Sequence, residues 1–159
     1  MSFLRVENLR VDIPVGSGVL HAVRGIGFEV EKGETLCIVG ESGCGKSLTS
    51  LALMDLLPSK AIRSADRIEM DGIDLQRIGA RRMSDLRGDR ISMIFQEPMT
   101  SLNPAYTIGD QLMEAYLRHH RAPRAEARER AVFLLDKVGI SAAESRLKQY
   151  PHQLSGGLR

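Results

Sequence analysis

The spacing of apolar residues divides the chain into a strand-patterned first part and a helix-patterned second part. Phe3 to Ile13 roughly alternates apolar and polar positions, as a half-buried strand does. Val15-Gly16-Ser17-Gly18 reads as a turn, and Val19 to Val30 as a second extended run. A polar turn at Glu31-Lys32-Gly33-Glu34 leads into TLCIVG (35–40), a continuous apolar run of the kind that fills a fully buried strand. Leu48 to Leu57 is rich in helix formers and stops at Pro58. RIEMDGIDL (67–75) predicts a strand pair around Asp71-Gly72, a strong tight-turn signal. A short helix is expected over Ala80–Leu86, and another buried strand at ISMIF (91–95).

Beyond Pro98 the pattern turns helical. Thr107 with Asp110 predicts an N-terminal cap, loosely a capping box with Asp in place of Glu. The helix it opens runs to about His120 and ends before Pro123. A second spans Arg124 to Val138 with Gly139 as its stop, and a third lies near 142–149, closed by Pro151. The expected division is therefore 1–97 for the strands and their loop–helix unit, and 98–159 for a helical subdomain. No internal repeat, low-complexity tract or flexible linker interrupts them.

Composition narrows the class of protein without choosing a function. The 159 residues are 43% hydrophobic and 26% charged, ordinary values for a globular chain, with a net charge of +2. Residues 1–97 carry 13 Lys/Arg against 14 Asp/Glu, and residues 98–159 carry 9 against 6. Neither part has the basic excess of a nucleic-acid binder. Two cysteines give no disulfide framework, and Cys37, inside an apolar run, is expected to be a small buried hydrophobe. The N-terminus MSFLRVENLR has charges where a signal peptide needs an apolar stretch. No run approaches the ~18 apolar residues that cross a bilayer. A chain in the cytoplasm, free or peripheral to something else, is expected.

GESGCGKS (40–47) meets G-x-x-x-x-G-K-[ST] at every fixed position, after an expected strand and before an expected helix. Gly40, Gly43 and Gly45 can adopt backbone angles that turn successive N–H groups inward as an anion-binding nest. Glu41, Ser42 and Cys44 complete the loop. The helix beginning near Lys46 adds its positive end. Lys46 is placed to reach terminal phosphates, and the Ser47 hydroxyl to bind Mg²⁺. Cys44 is either a small residue that fits the loop or an oxidisable thiol.

Such a site also needs a carboxylate at the end of a second buried strand. ISMIFQE ends in a polar pair, but its first member is Gln96. A neutral amide oxygen can touch Mg²⁺ or position water, yet is too weakly basic to take water's proton. Glu97 precedes Pro98, where the chain leaves the strand, so 96–97 is rejected as the acidic motif. No other apolar run in the 159 residues ends in Asp-Glu, and Asp71 is better explained by the turn it starts.

Three motifs coincide: GESGCGKS, IFQEPMTSLNP (94–104) and YPHQLSGG (150–157). Together they closely resemble the ATP-binding subunit of ABC transporters, in the oligopeptide/dipeptide/nickel import branch. The resemblance runs the whole chain, from FLRVENLRVDI and HAVRGIGFEVEKGE onward, and QEPMTSLNP carries the branch assignment. It implies an α/β fold: a P-loop NTPase core of the ABC type, an N-terminal antiparallel β subdomain and a helical subdomain, with the central sheet incomplete here. It implies ATP and Mg²⁺ as cofactors. Gln96 becomes the Q-loop residue that senses γ-phosphate, water and Mg²⁺. Leu154, Ser155, Gly156 and Gly157 become the signature motif, which contacts ATP held by a second, head-to-tail ATP-binding domain. Membrane-spanning permease subunits are the other implied partners, the location is the cytoplasmic face of the membrane, and nucleic acid is not implied.

Three departures qualify the likeness. The family's acidic strand, catalytic Glu and switch His follow the signature, and this sequence stops before them, so hydrolysis by this chain alone is expected to be slight or nil. The family's aromatic adenine platform in the first hairpin has Ile13 as its nearest counterpart, so adenine contact should be weaker. The strands that would complete the central sheet are missing, leaving an exposed edge that invites aggregation. A small P-loop kinase is the alternative from another class, without an acceptor site or acid in view. A non-functional remnant of a truncated gene is a third.

Other residues carry plainer readings. His152 is expected to face solvent or bond locally, although a partner-domain contact is open. His119 and His120 lack the spacing of a metal pair and read as the polar end of a helix. Arg77, Arg81, Arg82, Arg87 and Arg90, balanced by Asp85 and Asp89, read as a solvated face.

Overall fold

In the computed structural model, which describes residues 2–96 and 101–155, a long hairpin organises the first part of the chain. Strand β1 (Leu4–Val15) and strand β2 (Gly18–Val30) pair antiparallel along their whole length through a two-residue turn at Gly16-Ser17. The other edge of β1 is shared by two short strands in tandem. Leu4–Glu7 pairs with β4 (Arg67–Met70), and Arg10–Asp12 pairs with β3 (Ile62–Ser64). The change of neighbour falls around Asn8, where φ is 50° and the register with β2 shifts, and whose Nδ2 donates to Asp66 Oδ2 at 3.1 Å. β5 (Ile73–Asp74) completes the sheet beside β4. Asp71 and Gly72, at φ 49° and 76°, form the turn between them, both in the left-handed region that a tight hairpin of this twist requires.

Helices α1 (Lys46–Leu53) and α2 (Ala80–Leu86) supply Ala52, Leu53, Met83 and Leu86 to a core built on Val6, Leu9, Val11, Val23, Ile68 and Leu75. The chain divides into two compact units, Met1–Ser92 and Met93–Arg159. In the second, α3 (Ile108–His119), α4 (Arg124–Lys137) and the short α5 (Ala143–Arg146) share a separate core. The α4 contribution is a single stripe, Ala127, Ala131 and Leu135, at four-residue spacing. A 3-10 turn at Pro151–Gln153 follows.

The Thr107 cap forms as its sequence predicts. Its hydroxyl accepts from the Asp110 N–H at 3.1 Å and donates to the Asp110 carboxylate at 2.7 Å. Asp, shorter than Glu, meets the cap's hydroxyl where a capping box would reach the cap's backbone. Thr107→Ala is expected to lower the stability of the second unit by about 1 kcal/mol, read as a shift of its urea midpoint.

Several expectations are corrected. TLCIVG (35–40) is not a buried strand: it has no regular structure and is exposed throughout, with Val39 at 88%. Cys37 is accordingly exposed. ISMIF (91–95) contributes one isolated bridge, Ile91 with Arg87, and Ile94 is 98% exposed. A continuous apolar strand is buried only between hydrogen-bonded neighbours, with helices over both faces. Among the described residues no strand pairs with either run. Helix α1 ends at Leu53 rather than Leu57, and β3 was not foreseen. The helix near 142–149 shortens to Ala143–Arg146, entered through Ala142 at φ 56°.

Candidate phosphate-binding site

Helix α1 begins with no side chain to close it. Its N-cap is Gly45, at φ 94° and ψ 2°, and no side-chain acceptor serves the first turn. Gly45, Lys46 and Ser47 therefore stand where helical N–H groups have no intrahelical acceptor and where the helix dipole is positive. Internal bonding starts at Thr49, whose N–H donates to Gly45 O at 2.9 Å. The buried Thr49 hydroxyl donates to the same carbonyl at 3.1 Å, pinning the loop to the helix.

Glycine is required at position 45 for a second reason. A Cβ there would lie 2.5 Å from Ala22 O and 3.3 Å from Val23 Cγ2. Strand β2 presents that carbonyl because its register slips beside it. Val11 faces Val23 and Asp12 faces His21, leaving Ala22 as the extra residue of a bulge. Gly40 is closed off similarly, its Cβ position 2.6 Å from Cys44 Sγ, whereas Gly43, at φ 82°, faces open space. Cys44 packs over Gly40 while staying exposed, which fits the small-residue reading of it.

The Lys46 ammonium lies across the loop. It donates to Gly40 O and to Glu41 O, each at 2.7 Å, with Cys44 Sγ at 3.5 Å. Residues 40–47 are thus drawn into one turn carrying a cation bonded to the loop's own carbonyls, uncapped amides and the exposed Ser47 hydroxyl on the first helical turn. This set fits a polyphosphate with a divalent cation. Glycines admit its oxygens to the backbone, Lys46 can exchange carbonyls for phosphate, and Ser47 offers a hard oxygen donor. Ser42 is exposed in the same loop.

The remaining site residues lie in the second unit. Gln96 is exposed at a bend, and Glu97 lies outside the described residues. Leu154 is 5% exposed and packs with Ile108, Ala131, Leu135, Ala143 and Leu147, so its side chain anchors the motif. Ser155, next to it, is exposed, and Gly156 and Gly157 lie outside the described residues. Ile13, half-buried opposite Leu20, packs against the first core, and its exposed neighbours Val15 and Leu20 extend the hairpin with aliphatic surface.

The plainer readings also take physical form. His120 stacks on Tyr116 with centroids 4.3 Å apart, and His152 stacks on Tyr150 at 5.6 Å. The Tyr116 hydroxyl donates to Glu126 at 2.7 Å, which holds the phenol above its ordinary pKa. Among the described residues no three His, Cys, Asp or Glu side chains group as a metal site. In the arginine cluster Arg77 pairs with Asp74 at 3.2 Å, Arg90 with Asp71, and Arg87 donates to Met54 O and Asp55 O. Sequence reading did not foresee the floor of the loop, Ala22 and Val23; only a bulge in β2 reveals it.

Residues 23–159 match the family model described as ABC transporter. The chain belongs to the ABC transporter family. It is 51% identical over 157 residues to the dipeptide transport ATP-binding protein of Bacillus subtilis (strain 168), covering 98% of this chain and 47% of that protein. To the corresponding Escherichia coli (strain K12) protein it is 47% identical, covering 99% of this chain and 48% of that one. To the oligopeptide transport ATP-binding protein OppD of B. subtilis it is 44% identical, covering 98% and 44%. This ABC family chain thus spans about half the length of the curated relatives it matches. Its fold is that of a dimeric ATP-binding cassette solved with ADP and phosphate, at a TM-score of 0.82 and 23% identity, covering 98% of this chain and 64% of that one. Antiparallel strands at the start and a helical subdomain after them, the α/β arrangement expected of an ABC-type chain, are present. Among the described residues no helix is long and apolar enough to cross a membrane.

Proposed function

We propose that this chain supplies the nucleotide-binding part of the ATP-binding subunit of an ABC importer, with peptides as the favoured solute class and nickel the other. The observation that carries the reading is the uncapped start of α1, seated on Ala22 and crossed by Lys46. The names of the relatives, dipeptide and oligopeptide transport proteins, support the solute class. Gly40–Ser47 would hold the phosphates of ATP. Ser47 and Gln96 would be the Mg²⁺ ligands, and Ser155 with Gly156 and Gly157 would meet nucleotide held by a second cassette. Mg²⁺·ATP, when bound, would supply a cleavable phosphoanhydride and the negative charge that the signature residues of a second cassette would meet. The chain's own share is to bind and orient it: amides and Lys46 fix the phosphates, and Gln96 can orient a water. Permease subunits as partners and a peripheral place at the cytoplasmic membrane face belong to the same proposal. Within these 159 residues no apolar run ends in Asp-Glu, so we infer that this chain alone hydrolyses ATP slowly or not at all.

The test is equilibrium binding of a fluorescent Mg²⁺·ATP analogue to the 159-residue chain and its Lys46→Ala variant. Losing a charge-assisted contact is expected to weaken binding by about 10–100-fold. Equal affinity of the two proteins would overturn the assignment of residues 40–47. Turnover of ATP that Lys46→Ala abolishes would overturn the inference of an idle chain.

A further inference from the structure

Helix α3 opens differently from α1. The first N–H groups of a helix have no intrahelical partner, and here each is answered. Ile108 N–H donates to Gln149 O at 2.8 Å, Gly109 N–H to Leu147 O at 2.9 Å and Asp110 N–H to the Thr107 hydroxyl, before internal bonding starts with Gln111 N–H to Thr107 O. Two of these three acceptors outside the helical ladder are backbone carbonyls from the segment that leads into Leu154 and Ser155.

That docking depends on residue 109 lacking a side chain. Gly109 is buried in the first turn, and a Cβ there would lie 2.8 Å from Leu147 O and 3.0 Å from Leu147 Cβ. The obstructing atom is main chain, which cannot swing aside as a flexible side-chain tip could. Leu147 is held in turn, 6% exposed in the cluster that contains Leu154. A displaced Leu147 would therefore move the anchor of Ser155. Arg146 donates to Gln149 Oε1 at 3.0 Å, Tyr150 N–H to Gln153 Oε1 at 2.8 Å, and Leu154 N–H to Pro151 O at 3.1 Å. Residues 146–149 and 150–154 are thus two locally bonded turns in direct succession, joined through the cluster that Leu147 and Leu154 share.

We propose that Gly109 is a positioning residue for the signature segment: its bare Cα lets the start of α3 clamp the Leu147–Gln149 backbone, which sets where Ser155 stands. The proposal rests on the reading that Ser155 meets nucleotide in a second cassette. It adds a residue 46 positions earlier in the chain that touches no nucleotide.

The propensity scale makes the test sharp. Ala is favoured over Gly inside helices, so a Gly109 with no packing role would make Gly109→Ala stabilising. Native-state amide exchange on the wild-type 159-residue chain is the first measurement. The Ile108 and Gly109 amides are expected to exchange at least ~100-fold more slowly than free amides and to open together with Leu154 as denaturant rises. Exchange of the two at the free rate would overturn the proposal, with no variant needed. In Gly109→Ala, amides 108, 109 and 154 are expected to exchange ~10-fold or more faster, while those of β1 and β2 stay unchanged. An Ala variant with unchanged exchange and a raised urea midpoint would likewise overturn it. Ser155→Ala separates this idea from the reading beneath it. That variant should leave amides 108 and 109 as they are and weaken nucleotide-dependent pairing with a second cassette. If Ser155→Ala pairs normally while Gly109→Ala loosens residue 154, the clamp stands and the role given to Ser155 falls.

Discussion

Gly45→Ala is expected to destabilise the first unit by about 2–5 kcal/mol and to abolish measurable binding of Mg²⁺·nucleotide. Two costs add. At φ 94° an L-residue is forced into the left-handed region, at roughly 1–2 kcal/mol. The new methyl also has no room, since it would lie 2.5 Å from a main-chain oxygen of the bulged strand, and overpacking of that kind costs about 1–3 kcal/mol. Gly43→Ala is the control, because Gly43 shares the backbone angle, at 82°, but its Cβ position faces open space. It should show the first cost alone, about 1–2 kcal/mol. Urea midpoints of both variants, with nucleotide titrations beside them, measure the difference. Equal losses at the two positions would show that contact with Ala22 contributes nothing.

Ile68→Ala should be the most damaging core substitution in the sheet, at about 3–4 kcal/mol within the range for large-to-small changes. Ile68 is fully buried on β4, directly opposite Val6, itself 1% exposed. Its carbonyl also accepts the Leu75 N–H at 2.8 Å, which turns the chain towards α2. The cavity would open in the core that Ile68 shares with Met83 and Leu86 of α2. Ile62→Ala, on β3 and 60% exposed, is the matched comparison and should stay within about 0.5 kcal/mol of wild type. Denaturant unfolding monitored on the first unit compares the two, and similar midpoints would refute the placement of the core.

Features written in local chemistry were legible beforehand. The turn at Asp71-Gly72, the Thr107 cap, α2 from Ala80 to Leu86 and the stop before Pro123 depend on residues within a few positions of each other. The turn over residues 40–47 belongs with them as a piece of backbone geometry, since its glycines and Lys46 act on their own backbone. TLCIVG and ISMIF failed for the opposite reason. Their apolar runs describe the strands that would surround them, and among the described residues none pairs with either run. The carbonyl beneath Gly45 was hidden because it comes from a bulge in a strand more than twenty residues earlier. Short β3 was hidden because its three residues, Ile-Arg-Ser, carry no alternation to detect. Leu154 was legible as part of a motif but not as a core residue, a role set by α3, α4 and α5 together.

The two helix starts leave their units in different relations to the surrounding solution. At α3 the amides of Ile108, Gly109 and Asp110 are already matched, by two backbone carbonyls and the Thr107 hydroxyl, so these donors are not on offer to dissolved ions. At α1 the positive end carries no side-chain acceptor and holds a lysine besides, so sulfate, phosphate and other small oxyanions compete for it. Through these two helix starts, oxyanions are expected to stabilise the first unit and to add nothing to the second. A stability ranking of the two units is a statement about the buffer as much as about the chain.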